Sequence, residues 1–235
     1  MNWIDTLFGR KKIELSEQQE LRLKSWRALR PPSNEAVLDH SRFVVVDVET
    51  SGLSLTKDRL IAIGAVAVTN GKIDLDDSFE VVLQQETTST KANILIHGIS
   101  GSAQTGGQEP AEALLAFLEY LRKDPLVAFH VTFDETMLRK AIKQFLGFNF
   151  KHHWLDLAYA VPGLHPEQAS KFRALDDWLT FFRIQNYARH NALADAVSTA
   201  QLFLIASRAA QRQNILSYHG MQRVEKAQRW VSQES

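Results

Sequence analysis

Residues 43–53 read FVVVDVETSGL. Three valines follow a phenylalanine and a fourth sits between two acids, a nearly continuous apolar run rich in the β-branched residues that strands favour. Such a run predicts a central strand covered on both faces. Its carboxylates, Asp47 and Glu49, stand two apart, so both side chains leave the strand on one face. An acidic pair at the end of a buried strand is costly unless something neutralises it. A divalent cation would do so, and an all-oxygen donor set suits magnesium or manganese. Thr50-Ser51-Gly52 then turns the chain and can offer backbone amides to a substrate. A bare D-x-E is common. D-x-E-T-x-G, with four fixed letters each at ~5–7% usage, is expected by chance in well under ~1% of chains this long.

Downstream, RLIAIGAVAVTNGKI (59–73) is a second apolar strand, and Asn70-Gly71 is a hairpin signal leading to a third strand through DDSFEVVL. The three read as an antiparallel meander. Residues 84–106 read as loop, holding Ile96-His97-Gly98-Ile99-Ser100. Pro110 opens a helix, AEALLAFLEYLRK, with apolar positions at spacings of three and four. PLVAFH is a short buried strand, followed by a helix over FDETMLRKAIKQFLGF with Thr132 as a candidate N-cap. HHWLDLAYAV gives a fifth strand running into a helix, and ALDDWLTFFR and NALADAVSTAQLFLIASRAAQR are two more helices. Three strands followed by alternating helices and strands predict an α/β domain with a mixed five-stranded sheet flanked by helices.

The first forty residues have another character. Trp3, Ile4, Leu7 and Phe8 lie at helical spacing before Gly9 and the basic Arg10-Lys11-Lys12. SEQQELRLKSWRALR then predicts a helix with Ser16 as N-cap and Glu17 and Glu20 in its first turn, stopped by Pro31-Pro32. This extension is either an accessory helix packed on the domain or an arm that docks a partner. The division expected is 1–41 helical extension, 42–210 catalytic domain and 211–235 basic tail.

With 235 residues, the chain is long enough to bury a substantial core. It has no cysteine, which excludes disulfides, a thiolate nucleophile and sulfur-ligated zinc. No stretch approaches the ~20 apolar residues that cross a bilayer, so no membrane role and a cytoplasmic location are expected. Twenty-seven basic residues balance 27 acidic ones, but unevenly: residues 43–182 carry 12 Lys/Arg against 18 Asp/Glu, and residues 183–235 carry 7 against 3.

Two further acids matter beside the first pair. Asp134 falls in the first turn of its helix, just after the short strand at 126–129, where the helix dipole favours a carboxylate. His190 and Asp195 open the last long helix. Five residues apart on an ideal helix is a rotation of ~140°, so they converge only if His190 lies in the entry loop and Asp195 in the second turn. Asn191 is a candidate cap there. A loop histidine can take a proton from a water and withdraw.

Together these residues resemble the DEDDh group of DnaQ-like 3′–5′ exonucleases, which includes the proofreading epsilon subunit of bacterial DNA polymerase III. The first motif matches as DVETSGL, the second around Phe133-Asp134 and the third as HNALADA, in the family's order, over about Arg42 to Arg208. Ile96-His97-Gly98-Ile99 resembles the family's segment beside the terminal nucleotide. The resemblance implies a ribonuclease H-like fold and two divalent cations, Mg²⁺ or Mn²⁺, on Asp47, Glu49, Asp134 and Asp195. It implies His190 as general base, Thr50, Leu53 and His97 around the terminal nucleotide, and a 5′-mononucleotide product. His130 stands where the family usually has asparagine, so it becomes a further candidate against the substrate. The expected partners are single-stranded or frayed 3′ ends of DNA, with RNA as the alternative on the same chemistry. A rival of another class is a noncatalytic polymerase- or clamp-docking module on this fold. Gln213-Asn214-Ile215-Leu216-Ser217-Tyr218 resembles a relaxed sliding-clamp peptide, a second route to a polymerase or clamp besides residues 1–41. His152, His153 and Asp156 read as a strand-to-helix junction, and Trp154 and Trp178 as core.

Overall fold

The valine-rich run forms β1 (Arg42–Thr50), the middle strand of a five-stranded sheet. The structure is a computed structural model and describes residues 13–33 and 35–234; the apolar positions Trp3 to Phe8 and the basic triplet after them lie outside these. β1 pairs antiparallel with β2 (Leu60–Thr69), which pairs antiparallel with β3 (Lys72–Val82), so the meander forms as expected. Asn70 and Gly71 both take positive φ, 53° and 69°, the backbone a tight two-residue hairpin needs. On its other side β1 runs parallel to β4 (Leu126–Ala128), and β4 parallel to β5 (Trp154–Asp156), giving the order β3-β2-β1-β4-β5.

Alternation along β1 splits the core into two layers. Val44, Val46 and Val48 face one cluster, which also takes side chains from α4 (Pro110–Leu121) and α5 (Val131–Leu146). Phe43 and Val45 face the other, built with α6 (Leu157–Leu164), α7 (Leu175–Phe181) and α8 (Ala192–Arg212). Asp47 and Glu49 continue the Phe43–Val45 side by the same alternation, so they project toward α8.

Three expectations are corrected. Residues 84–106 are not simply loop: they hold α2 (Lys91–His97) and α3 (Gly101–Thr105), capped by the hydroxyls of Thr90 and Ser100. Helices this short follow from their caps and packing, because seven residues carry too little periodicity to read. Thr132 is not the cap of α5; His130 holds that position, in the left-handed conformation, with no side-chain cap bond. Residues 211–235, expected as a basic tail, carry a further helix, α9 (Tyr218–Glu234), which packs against α6 and β5.

The segments on either side of the sheet domain, before β1 and after α8, are both built into it. α1 (Glu17–Ala28) has the Ser16–Gln19 capping box and buries Leu23 and Trp26 in the first cluster, so it is an accessory helix packed on the domain. Arg22 reaches Glu112 and Glu119 on α4, and the Trp26 indole N–H donates to the Arg122 carbonyl. Residues 36–38 are clipped to 216–218: Leu38 N–H donates to the Leu216 carbonyl and Tyr218 N–H to that of Ala36. Tyr218 is 1% exposed, with its ring against Phe43 and its hydroxyl donating to the Trp154 carbonyl. The aromatic of the clamp-like peptide is therefore a core residue, and in this fold it is not available to a clamp. No helix among the described residues is long and apolar enough to cross a membrane.

Candidate active site

β1 delivers Asp47 and Glu49 at its C-terminal end, and the sheet decides what meets them there. Asp47 pairs across the ladder with Gly64 of β2. A Cβ at Gly64 would stand 2.2 Å from the Ala192 carbonyl carbon and the Leu193 nitrogen. The first turn of α8 therefore lies directly on the sheet beside Asp47, and only glycine leaves room for it. That contact sets Asp195, buried in the same turn, against the strand acids. One carboxylate oxygen from each of Asp47, Glu49 and Asp195 falls within 4.8 Å of the others.

Asp134 arrives from the opposite layer. In the first turn of α5, burial raises the Asp134 carboxyl while its own backbone amide, and then that of Val48, pull it down. Asp134 is 5% exposed and is the strongest charged neighbour of Asp47, although it stands outside the tight trio. Burial pushes Asp47 well above the usual carboxylate range, with Asp134, Asp195 and Glu49 adding repulsion. Burial and then Asp195 push Glu49 up to about 8. Burial first, with Asp156 and Glu49 adding to it, pushes Asp134 up to about 8. Asp47, Glu49 and Asp134, raised in this way, cannot all stay charged without a cation.

Such a cation is present as a side chain. One guanidinium nitrogen of Arg189 lies 2.9 and 3.0 Å from the two oxygens of Asp195, and Arg189 also pairs with Asp176. The amide of Asn186 donates to Asp195 as well. An oxygen-only donor set with more negative charge than one guanidinium offsets fits a divalent metal in chemistry and in electrostatics.

His190 lies in the loop before α8, as expected, with φ 63°. Its backbone N–H donates to Asp195 at 2.9 Å, and its imidazole is exposed beside the acids' helix. Asn191 caps α8 through the Ala194 amide. Asp195 falls in the first turn and not the second, so the loop, and not helical rotation, brings the pair together. Thr50 donates its hydroxyl to the Gly52 carbonyl, shaping the turn after the motif. Asp58 braces that turn by accepting from Ser51 Oγ and the Ser54 amide, each at 2.8 Å. Leu53 stands out from it, 88% exposed.

His97 is buried. Its Nδ1 accepts from the Ile99 amide and its Nε2 meets Ser89 Oγ, so both ring nitrogens serve the 89–104 segment. What that segment exposes is Leu95 and Ile96. Asn93 of α2 donates to the Ser51 carbonyl and ties the segment to the motif turn. His130 is exposed, with φ 65°, and its N–H donates to Asp156. Among residues other than glycine, asparagine and histidine are both enriched in this conformation, a backbone reason for either at this position. Asp156 caps α6 and pairs with Arg229, so the 152–156 junction is structural, as expected. Trp178 is core, whereas Trp154 is only partly buried.

Sequence reasoning missed Arg189 as the partner of Asp195, Asn93 as the link to the turn, and Gly64. The first two have no sequence signal. The third has one, because a glycine inside an apolar strand often marks a close backbone approach.

A family model described as RNase_T, exonuclease, matches residues 44–203. DNA polymerase III PolC-type of Caldanaerobacter subterraneus subsp. tengcongensis is 33% identical over 171 residues, 73% of this chain and 12% of that protein. A DNA polymerase III subunit epsilon-like protein of Rhodobacter capsulatus is 33% identical over 177 residues, 72% of this chain and 24% of that protein. The chain thus spans a quarter or less of these relatives. Among solved structures, E. coli Exonuclease I in complex with a dT13 oligonucleotide aligns with a TM-score of 0.62 at 16% identity, over 74% of this chain and 42% of that one. Exonuclease X in complex with 5′ overhanging duplex DNA aligns with a TM-score of 0.61 at 16% identity, over 78% and 99%. These structural likenesses concern the fold, and they bear out the ribonuclease H-like sheet.

Proposed function

The chain belongs to the RNase_T exonuclease family, related to the DnaQ-like 3′–5′ exonucleases, and on that premise we propose that it removes 5′-mononucleotides stepwise from the 3′ ends of DNA, in proofreading or repair. The observation that carries the reading is the convergence of Asp47, Glu49 and Asp195 within 4.8 Å, with Asp134 buried beside them. Phosphodiester hydrolysis needs positive charge where the phosphoryl oxygens become more negative, and four acids exist to hold it there. They would hold two divalent cations, Mg²⁺ or Mn²⁺. When bound, such a pair supplies Lewis-acid stabilisation of the charge developing on the phosphoryl group.

The chain's own residues do the rest. His190, on an exposed loop, accepts the proton of the attacking water at a ring nitrogen and releases it to solvent. The His190 backbone and Asn186 orient Asp195. Arg189, paired with both oxygens of Asp195, would have to give up that pair for Asp195 to hold a cation. Thr50 and Leu53 face the terminal nucleotide from the motif turn, His97 braces Leu95 and Ile96 against it, and His130 borders the site at the start of α5. The names of the relatives support association with a replicative polymerase.

The test is purified protein with 3′- and 5′-labelled single-stranded DNA and RNA of one sequence, with Mg²⁺, Mn²⁺ or EDTA. Metal-dependent stepwise loss from the 3′ end is expected, faster on DNA. A faster rate on RNA moves the substrate and leaves the chemistry. No cleavage by folded, metal-loaded protein would make the chain a docking module on this fold.

A further inference from the structure

At the end of β5 a group of charged side chains is packed together for which the chemistry has no use. Asp156 is 2% exposed. One of its oxygens accepts from the His130 and Ala158 amides, each at 3.0 Å, and the other meets Nη2 of Arg229 at 3.1 Å. Glu225, one turn before Arg229 on α9, accepts from the same nitrogen at 2.9 Å and from the Asp156 amide at 3.2 Å. The Arg229 guanidinium also lies over the Tyr159 ring, 4.0 Å from its centre. A carboxylate buried this far is costly unless it is paired. α9 therefore grips Asp156 twice, by its carboxylate and by its backbone.

What Asp156 grips in turn is the entrance of α5. His130 holds the cap position of that helix at φ 65° and ψ 54°, a left-handed conformation that side chains other than glycine resist, and its own side chain makes no cap bond. Among the described residues, Asp156 is the partner of its N–H. Asp134 follows one turn later, about 6 Å along the axis. What fixes His130 fixes where α5 begins, and so where the Asp134 carboxylate stands. Asp156 is also close enough for its charge to raise Asp134 more than Glu49 does.

We propose that Arg229 is a positioning residue for the exonuclease site, acting through Asp156 and the His130 backbone to hold Asp134 beside Asp47. Its positive charge also offsets a carboxylate that would otherwise add to the crowded acids. The proposal rests on the exonuclease reading and deepens it. Fastening α9 to the sheet does not by itself call for Arg229, because Tyr218 and Gln222 already hold the Trp154 carbonyl. Arg229 and Glu225 hold instead the residue on which the entrance of α5 depends.

The test uses the full chain with Arg229→Gln, Arg229→Lys, Asp156→Asn and the double change Arg229→Gln with Asp156→Asn. Gln222→Ala, which loosens α9 elsewhere, is the control and should lower stability alone. With Mn²⁺ saturating, Arg229→Gln should lower kcat on a labelled DNA strand about tenfold or more with KM little changed, the pattern of a misplaced group. Arg229→Lys keeps the charge and should recover most of that loss. In the double variant Arg229→Gln should add nothing to Asp156→Asn, because the arginine acts through that carboxylate. Without metal or substrate, amide exchange at His130 should quicken about tenfold in Arg229→Gln while that at Asp195 stays the same. Lowered stability with kcat and His130 exchange unmoved, or losses that add in the double variant, would make Arg229 a staple and overturn the proposal. If the wild-type protein cleaves nothing, the exonuclease reading fails, and exchange at His130 alone decides whether Arg229 sets the entrance of α5.

Discussion

The acids at the end of β1 are crowded enough that a proton or a cation relieves them, and this has a pH signature. Glu49 is pushed from an ordinary 4.5 up to about 8 in the folded chain. A raised carboxyl favours the fold fully below its unfolded value and withdraws that support as pH climbs through the folded value. Metal-free protein should therefore lose thermal stability between about pH 4.5 and 8. Glu49→Gln should flatten that slope. Mn²⁺ should raise the melting temperature far more at pH 8 than at pH 5.5, since protons and metal compete for the same oxygens; a metal shift independent of pH would remove the acids from the site. Arg189 would compete with a metal in the same way, through its contacts to both oxygens of Asp195. Arg189→Gln should bind Mn²⁺ about fivefold or more tightly while its metal-free form melts earlier, both readable by calorimetry. His190→Ala should cut turnover by roughly 10²–10⁴-fold with metal affinity unchanged, the pattern of a proton acceptor and not a ligand.

At the scale of elements, the site exists because two strands and two helix starts meet, and Gly64 is where they meet most closely. Gly64→Ala places a methyl 2.2 Å from the backbone of Ala192 and Leu193. Overpacking of this kind costs ~1–3 kcal/mol and here must lift the start of α8 from β2. Stability and Mn²⁺ affinity should fall together in denaturation and metal titration; a stable variant with full affinity would show that Asp195 is positioned by other means. This also marks what the sequence made legible. The valine run, the Asn70-Gly71 turn and the Ser16 box act locally, within a few residues, so strands, hairpin and α1 were readable. Asp47, Glu49 and Asp195 were readable because their motifs are short and ordered. Arg189 was not, because nothing in Arg189-His190-Asn191 tells which ion pair the loop will close. α2 and α3 were missed because helices of seven and five residues are held by Thr90, Ser100 and the Asn93 bond to Ser51, not by an apolar stripe.

Across the whole molecule, the chain's two outer segments close on each other beneath the sheet. Residues 36–38 and 216–218 share backbone bonds, and Tyr218 and Met221 lie in the core with Phe43 and Phe203. A division at 42 and 210 would therefore cut through a packed layer. Arg229 of α9 reaches Asp156, which holds the His130 amide at the entrance of α5, so the last helix also steadies the side of the site opposite α8. A chain ending at Arg212 should lose the burial of Tyr218 and Met221 and should be aggregated or unfolded under conditions where the full chain is not. Tyr218→Ala, in the full chain, should cost ~3–5 kcal/mol in urea denaturation, the range for emptying a large core position, while folded protein keeps its kcat/KM. The same variant decides between the two readings of Gln213–Tyr218. If Tyr218 is core, stability falls. If it is instead a docking residue, stability stays and clamp affinity falls, an outcome that would require the 1% exposed ring to leave its place against Phe43.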